Sequence, residues 1–245
     1  MPPRAYYTLF MFLAFAVFLL VRHFVPRPAA LQQLSWQKRS VLAMMAFIGG
    51  VFGGKLPFLL GLESGTANLL IWADGKTITT GLMGAYVAVE VTKLYLGLHV
   101  KTGDTFALPL ACAMAVGRWG CFFNGCCYGT ETTLPWGWRF GDGLLRHPTQ
   151  VYESLFHLWM ALILLLMLRT GVLRNQHLKL YLISYGVYRF LTEYIRPEPR
   201  LALGLTFYQW MSVVMIVGLS VQWWIDSRSF RAATVRERSA TAAVP

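Results

Sequence analysis

The sequence predicts an all-α polytopic membrane protein with about seven transmembrane helices and a structured outward-facing loop. Hydrophobic residues make up 56% of the 245 residues and charged residues only 13%. A soluble domain carries roughly 25% charged residues, so this chain could not cover a soluble surface. In so apolar a chain, a net charge of +11 indicates an anionic bilayer surface and not nucleic acid. Four cysteines are too few for a disulfide scaffold. We expect one integral-membrane domain, residues 1–245, in which residues 226–245 form a basic cytoplasmic tail.

Seven segments approach the length of about 20 apolar residues that a helix needs to cross a bilayer. Arg22 and His23 close the first segment where a signal peptide would need small residues, so we expect an uncleaved helix. The first and sixth segments are short or interrupted by polar residues. In chain order the predicted spans are Tyr6–Val21, Val41–Leu62, Leu82–Val100, Thr105–Phe123, Tyr152–Leu168, Lys179–Ile195 and Leu205–Ile225.

The basic residues predict the orientation of these spans. Twelve basic residues fall in one set of alternate connections and seven in the other. The richer set belongs in the cytoplasm, so we expect an outward N-terminus and a cytoplasmic C-terminus. The longest connection, Asn124–Val151, then faces outward, and its Gly, Trp and Pro content indicates a structured cap and not a helix.

Ionisable side chains at membrane depth are costly and mark functional candidates. Glu90 and Lys93 are three residues apart on one helix, so a structural ion pair is favoured for them. We place six such residues at membrane depth: Lys55, Glu90, Lys93, Arg118, Arg189 and Glu193.

The sixth predicted helix carries a polar stripe. Tyr185, Arg189 and Glu193 recur every four residues and Arg196 follows three later, which places all four on one face of one helix. Guanidinium groups in this pattern suit a phosphate. The alternative is an internal Arg189–Glu193 salt bridge, with Arg196 at the level of the lipid headgroups.

The segment Gly117–Gly129 has four glycines in thirteen residues, which allow close backbone approach. Arg118 supplies a planar charged fork, and Asn124 can orient a polar group. The spacing of the three cysteines in this segment is unlike that of common zinc sites, so we expect small packed thiols and neither a metal nor another cofactor. A disulfide among Cys121, Cys126 and Cys127 is the other alternative.

The outward loop ends in Arg146-His-Pro-Thr-Gln-Val-Tyr-Glu153. His147, Gln150 and Glu153 are polar groups three residues apart at a helix entrance. They form either a cap or part of the site.

These motifs resemble the prolipoprotein diacylglyceryl transferase family. The segment Gly117–Gly129 is similar to the family's Gly-Arg-x-Gly-Asn-Phe-x-Asn-Gly-Glu signature. Arg146–Glu153 is similar to its Arg-His-Pro-Ser-Gln-x-Tyr-Glu motif. Tyr185–Arg196 is similar to its Tyr-Gly-x-x-Arg-x-x-x-Glu-x-x-Arg stripe. Tyr7 and Leu9 resemble the family's Tyr-Gly-Leu-Met, and the segment 53–56 resembles its Gly-Gly-Arg-Leu. The resemblance runs in order from about residue 6 to residue 225.

Three departures from the family pattern concern proton handling. Thr79 stands where the family has a His, Cys121 replaces the signature Asn, and Cys126 replaces its Glu. The extended outward insert of typical members is also reduced. The residues that match suggest that the lipid-phosphate half of the site is retained while the proton-handling half is altered.

The resemblance implies transfer of the diacylglyceryl group of phosphatidylglycerol to the lipobox cysteine of preprolipoprotein signal peptides in the bacterial plasma (inner) membrane, with release of glycerol phosphate. The implied catalytic residues are Arg118, Arg189, Asn124, Glu193 and His147, and His147 and Glu153 are the remaining candidate bases. The implied substrate-binding residues are Tyr7, Gly120, Gly125, Gly129, Gln150, Tyr152, Glu153, Tyr185 and Arg196. Two alternatives stay open: a phospholipid transferase of the same fold with another acceptor, and a non-enzymatic phospholipid-binding protein.

Overall fold

The computed structural model describes residues 3–59 and 77–242, and almost all of this structure is helical. The helices are α1 (Pro3–Phe24), α2 (Ala29–Gln32), α3 (Trp36–Leu59), α4 (Ile78–Tyr95), α5 (Asp104–Asn124), α6 (Thr149–Thr170), α7 (His177–Thr192) and α8 (Phe207–Ala242). Two short 3₁₀ helices cover Glu193–Ile195 and Ala202–Gly204, and the strands are β1 (Trp138–Arg139) and β2 (Leu145–Arg146).

A helix lies at each of the seven predicted spans, which confirms the all-α class. The last three residues of the span Val41–Leu62 lie outside the described residues. Helix α4 begins four residues before the predicted Leu82, because Thr79 and Thr80 are polar by hydropathy yet helical and buried. It ends at Tyr95, where Gly97 with φ +62° turns the chain. Within the described residues, α1, α3, α5 and α6 are long and apolar enough to cross a bilayer by length and composition alone.

The polar stripe on α7 is shorter than the sequence predicts. Helix α7 ends at Thr192, Glu193 begins a 3₁₀ turn, and Arg196 has extended backbone with φ −112° and ψ 145°. The prediction that Arg196 continues the helical stripe is therefore wrong. Pro197 follows Arg196, and the residue before a proline is sterically biased away from helical backbone.

Helices α3 and α4 form an antiparallel pair with close backbone contact. A Cβ on Gly84 would lie 2.2 Å from the Gly49 carbonyl oxygen, and a Cβ on Gly53 would lie 2.4 Å from that of Thr80. Small residues at such crossings let helices approach closely where no hydrophobic force drives them together in lipid.

Helix α5 lies at the centre of the bundle, with α1 and α6 packed along it and α8 packed along α7. Its buried face carries Ala107, Ala111 and Ala115, and the first two share one core cluster with the large side chains of Tyr181 and Tyr185 on α7. Apolar side chains on the opposite sides of the bundle are instead exposed, including Phe12 and Phe15 of α1 and Leu158, Trp159 and Leu162 of α6. An exposed apolar belt of this kind is the surface that a bilayer covers.

Ion pairs lie at the end of the bundle where α6 connects to α7. Lys93 pairs with Glu90 as the sequence predicts, and Asp226 of α8 pairs with Lys101 and Lys179. Burial opposes ionisation of Asp226, but hydrogen bonds from these two lysines lower its pKa. The two pairs of Asp226 therefore tie α8 to α7 and to the connection between α4 and α5.

The connection between α5 and α6 is an ordered cap, as predicted. Strands β1 and β2 pair antiparallel, with Trp138 opposite Arg146 and Arg139 opposite Leu145. A hydrogen bond from Arg146 lowers the pKa of Asp142 within this hairpin.

Candidate active site

A buried ion pair joins α5 to α6 at the base of the cap. Arg118 donates to Oε2 of Glu153, and the two side chains are only 6% and 2% exposed. The Tyr185 hydroxyl of α7 donates to the other carboxylate oxygen at 2.9 Å. Glu153 therefore connects three helices, and the sequence predicted all three residues as members of one site.

A histidine that the sequence analysis did not single out completes this group. His157 is fully buried one helical turn after Glu153, and its Nε2 lies 3.7 Å from Oε1 of that residue. Its Nδ1 is hydrogen-bonded to the Tyr181 hydroxyl at 2.9 Å. The spacing of four residues from Glu153 was the available signal, because it places both side chains on one face of α6.

A second carboxylate gathers the other two arginines. Arg189 approaches Glu193 at 3.0 Å, which is the internal salt bridge that the sequence left as an alternative, and Arg196 approaches the same oxygen at 3.7 Å. The Thr206 hydroxyl donates to the other Glu193 oxygen at 3.1 Å. The Arg189 guanidinium also lies 4.8 Å from the centre of the Tyr208 ring.

The three arginines keep unused hydrogen-bond donors. In the part of the chain that the structure describes, Nε of Arg118, Arg189 and Arg196 is buried with no hydrogen-bond acceptor. Arg189 lies within electrostatic range of Glu153, and Arg196 within range of both Arg118 and Glu153. Buried donors without partners are rare, so this group of arginines is suited to an anionic ligand.

Side chains at the start of α6 form hydrogen bonds to backbone carbonyls of the cysteine segment. Gln150 donates to the Cys126 carbonyl at 2.6 Å, and Thr149 donates to the Cys127 carbonyl at 2.6 Å. Gly129 lies so close to the 3₁₀ turn that a Cβ there would be 2.6 Å from the Ile195 carbonyl oxygen. The polar groups at the entrance of α6 thus position the cysteine segment and also flank the site.

Helix α1 covers the other side of the Gly117–Gly129 segment. A Cβ on Gly120 would lie 3.0 Å from that of Phe10 and 3.3 Å from the Tyr7 carbonyl oxygen, so α1 approaches because Gly120 has no side chain. Helix α5 ends at Asn124, whose side chain interacts with Cys126, and Gly125 caps it with φ +67°. The Tyr7 side chain is within electrostatic range of the cysteine thiols.

The structure places His147 in the cap and Tyr152 beside it in the first turn of α6. The His147 Nδ1 lies 3.3 Å from the Tyr152 hydroxyl, which accepts a hydrogen bond from Trp136 at 2.9 Å. The imidazole that lies against Glu153 is instead that of His157.

Thr79 is buried in the first turn of α4. Two residues earlier, the Thr77 N–H donates a hydrogen bond to the Gly54 carbonyl of α3.

An elongated cavity of about 860 Å³ lies between the α1–α5 and α3–α4 pairs. Most of its lining is apolar, including Leu82 and Met114, and Met114 lies one helical turn before Arg118. Lys55 and Thr77 lie at one end of the cavity, and Arg22 and Lys101 lie at the other.

The chain is similar to known proteins along most of its length. The family model described as prolipoprotein diacylglyceryl transferase matches residues 4–225. A phosphatidylglycerol–prolipoprotein diacylglyceryl transferase of Polaromonas sp. is 32% identical over 225 residues, covering 82% of this chain and 80% of that protein. Proteins of the same name from Polynucleobacter asymbioticus and Polynucleobacter necessarius are 33% and 34% identical, and each alignment covers 86% of this chain and 87% of the relative.

Proposed function

The chain belongs to the prolipoprotein diacylglyceryl transferase family, and we propose that it transfers the diacylglyceryl group of phosphatidylglycerol to the cysteine thiol of a prolipoprotein. The observation that carries this proposal is the group of three arginines with buried, unused Nε donors. They surround two carboxylates in a chain whose exposed helix faces are apolar. Such a site takes an anionic ligand from the membrane.

The charges of the site match a phosphodiester. Three guanidinium groups, those of Arg118, Arg189 and Arg196, face the buried carboxylates of Glu153 and Glu193, which leaves one positive charge among the buried groups. The partly exposed Glu198 lies 3.5 Å from Arg196 at the edge of the site. The phosphate of phosphatidylglycerol carries one negative charge. Binding would neutralise the charge of the buried groups and give the Nε donors their acceptors, at low dielectric, where charge-assisted hydrogen bonds are strong.

The cavity between the two helix pairs offers a place for the acyl chains. Its volume of about 860 Å³ is at the upper end of ordinary ligand pockets, which range from about 300 to 1,000 Å³. Its apolar wall reaches Met114, one turn from Arg118. A lipid with its phosphate on the arginines could extend its chains into this space.

The reaction places two demands on the site. The acceptor sulfur attacks the glycerol carbon that bears the phosphate, a carbon–sulfur bond forms, and the carbon–oxygen bond breaks. Glycerol phosphate leaves with the electron pair, so negative charge grows on the phosphate oxygen, where the arginines stabilise it. The thiol must also lose its proton, because the thiolate is the nucleophile. Glu153 is the carboxylate nearest to Arg118; Tyr185 donates a hydrogen bond to it, and His157 Nε2 lies 3.7 Å from it.

We also propose an orientation. The cap, the arginines and the cysteine segment lie at the end of the bundle where α5 ends and α6 begins, and the excess of basic connections lies at the opposite end. The positive-inside bias supports a cytoplasmic location for the basic end, and with it a site at the outer surface of the inner membrane and an N-terminus outside. Acceptor signal peptides would then meet the site after export.

Complementation tests the proposed function. The host's transferase is depleted, this chain is expressed, and lipidation of a lipoprotein is followed by gel shift. We expect lipidation to be restored by the parent and by Arg139→Lys, an exposed change in the cap, and to be lost with Arg118→Lys. Failure of the parent to lipidate any lipoprotein, at membrane levels equal to those of the host enzyme, would contradict the proposal.

A further inference from the structure

Three cysteines converge beside Arg118. Cys121 is buried in the last turn of α5, Cys126 is half-buried just after it, and Cys127 is exposed. Their sulfur atoms all lie within 4.8 Å of one another. The sequence spacing gave no reason to expect a metal here, whereas this convergence does.

The local backbone is built to bring the three sulfurs together. Gly125 reverses the chain at the end of α5, and the Cys126 N–H returns to the Cys121 carbonyl at 3.1 Å. Cys127 then adopts φ +63°, a left-handed conformation that is uncommon for any residue other than glycine. Its carbonyl accepts hydrogen bonds from Thr149 at 2.6 Å and from Arg196 at 3.2 Å, which hold this strained conformation. Such strain clusters at functional sites.

The thiols also have a positive neighbour. Nη1 of Arg118 donates to the Cys121 sulfur at 3.8 Å, and Arg196 lies within electrostatic range of Cys127. Neighbouring cations favour the thiolate form of cysteine, which is the form that binds metals. The cluster therefore differs from thiols that are packed in an apolar core.

We propose that Cys121, Cys126 and Cys127 form a three-thiolate zinc site whose open fourth position takes the acceptor thiol. Zinc–sulfur bonds of about 2.3 Å place sulfurs roughly 3.8 Å apart in a tetrahedral site, so the three sulfurs need to close by no more than about 1 Å. Soft thiolate ligands select zinc over the hard cations. The exposed side, at Cys127, is the side from which an acceptor peptide would reach the metal.

This inference rests on the proposed function and supplies what Thr79 leaves missing. A thiol that coordinates zinc is deprotonated outright, so the metal replaces the base that the family's His would provide. The acceptor thiol gives its proton to solvent on binding. Its sulfur then attacks the glycerol carbon, the carbon–oxygen bond breaks, and glycerol phosphate leaves with the electron pair. The neutral thioether that forms is a weaker ligand and dissociates.

Metal analysis of the purified full-length chain tests the site without using activity. We expect one zinc per chain, and after replacement with cobalt(II) we expect thiolate-to-cobalt charge-transfer absorption. Cys121→Ser, Cys126→Ser and Cys127→Ser should each lose the zinc and this absorption. Cys112→Ser is the matched control, because Cys112 lies on α5 outside the cluster and should keep both signals.

Three results would overturn the proposed site or its role. One is a chain that takes up no zinc even when zinc is added during purification. Another is a freshly isolated chain that is lighter by two hydrogens and has lost two free thiols, because a disulfide would then occupy the cluster. The third is transfer at the parent rate after a chelator has removed all bound zinc. That last result would contradict the role of zinc but not the proposed transferase function. A zinc-loaded chain that lipidates no lipoprotein would instead contradict the proposed function and support the zinc site.

Discussion

Arg118 on α5 and Glu153 on α6 form an ion pair in which neither side chain is more than 6% exposed. Two charges buried this deeply stabilise one another only as a pair, because each alone would carry its full cost of desolvation. Yet Arg118 also keeps a buried Nε without an acceptor among the described residues. The pair thus fixes the guanidinium in place and leaves part of it free for a ligand.

This pair predicts an asymmetric pattern of stability. Glu153→Gln leaves the Arg118 charge buried without a counterion, and we expect it to lower the free energy of unfolding by about 3–5 kcal/mol. Adding Arg118→Met removes the unpaired charge and should recover much of that loss. Thermal unfolding in detergent measures both effects, with the exposed Glu131→Gln as the control. A double variant no more stable than Glu153→Gln would show that the pair has no such coupling.

Much of this arrangement could be predicted from the sequence. Hydropathy located the seven helices, and the spacing of Tyr185, Arg189 and Glu193 placed them on one face. Arg118 and Glu153 were both singled out, but their contact depends on how α5 packs on α6, which no local pattern encodes. In the sequence analysis, Arg196 was assigned to the stripe because a regular helix was assumed up to that residue. Pro197 instead disfavours helical backbone at Arg196.

The two features that the sequence analysis missed have different causes. His157 could have been found by applying to α6 the four-residue spacing that was applied to α7. The convergence of Cys121, Cys126 and Cys127 could not, because it depends on the positive φ values of Gly125 and Cys127 and on bonds from Thr149 and Arg196. Such long-range backbone contacts leave no signal in residue spacing.

Arginine geometry is predicted to control use of the lipid donor. We expect Arg118→Lys and Arg189→Lys each to lower turnover of phosphatidylglycerol by at least about 10²–10³-fold, because an ammonium cannot reproduce the contacts of a planar guanidinium. Release of glycerol phosphate from labelled lipid is the measurement. Arg139→Lys is the matched control, since Arg139 is exposed in the cap and its side chain bonds only to the Gly143 carbonyl among the contacts described. Parent rates in both site variants would show that these arginines do not hold the phosphate.

Substitution of the two histidines distinguishes a residue that positions Glu153 from one that belongs to the cap. His157→Gln removes the imidazole beside Glu153 and the partner of the Tyr181 hydroxyl, and lost buried hydrogen bonds of this kind cost about 1–3 kcal/mol. We expect a lower kcat with a nearly unchanged KM for the lipid, and a shifted pH profile. His147→Gln, in the half-buried cap, should leave that profile unchanged. The opposite result would return the catalytic role to His147.

The α3–α4 crossing is predicted to tolerate no side chain at Gly84. A Cβ there would lie 2.2 Å from the Gly49 carbonyl oxygen, so Gly84→Ala must separate the two helices. We expect a loss of stability of at least about 1–3 kcal/mol, as for other overpacked contacts. Gly218→Ala on α8 is the control, because a Cβ there meets nothing within 4 Å and alanine favours a helix by about 0.8–1 kcal/mol over glycine. Equal melting temperatures for the two variants would contradict the crossing.

The last prediction concerns Thr79, which is 2% exposed in the first turn of α4 and stands where the family has a His. With zinc removed by a chelator, no metal ionises the acceptor thiol of the parent, and no imidazole stands at position 79. Its thiolate fraction then rises about tenfold per pH unit below a pKa near 8.5. Any remaining activity should therefore climb steadily from about pH 6 to pH 8.5 without levelling near the pKa of an imidazole, which is about 6.5.

Thr79→His should restore an imidazole base and raise the rate of the zinc-free chain near pH 7, by at most the roughly 10²–10⁴-fold that general-base catalysis supplies. The pH profile should then flatten above about pH 6.5, because the imidazole is neutral there and can accept the thiol proton. Thr80→His is the matched control, since Thr80 is also buried and follows Thr79 directly. Its hydroxyl pairs with that of Thr77, and its side chain projects from a different side of α4. An equal gain in both variants would show that any added imidazole suffices. If Thr79→His gave no gain in rate at equal expression, the surroundings of Thr79 would not support a base. Proton removal in this chain would then depend on groups elsewhere in the site.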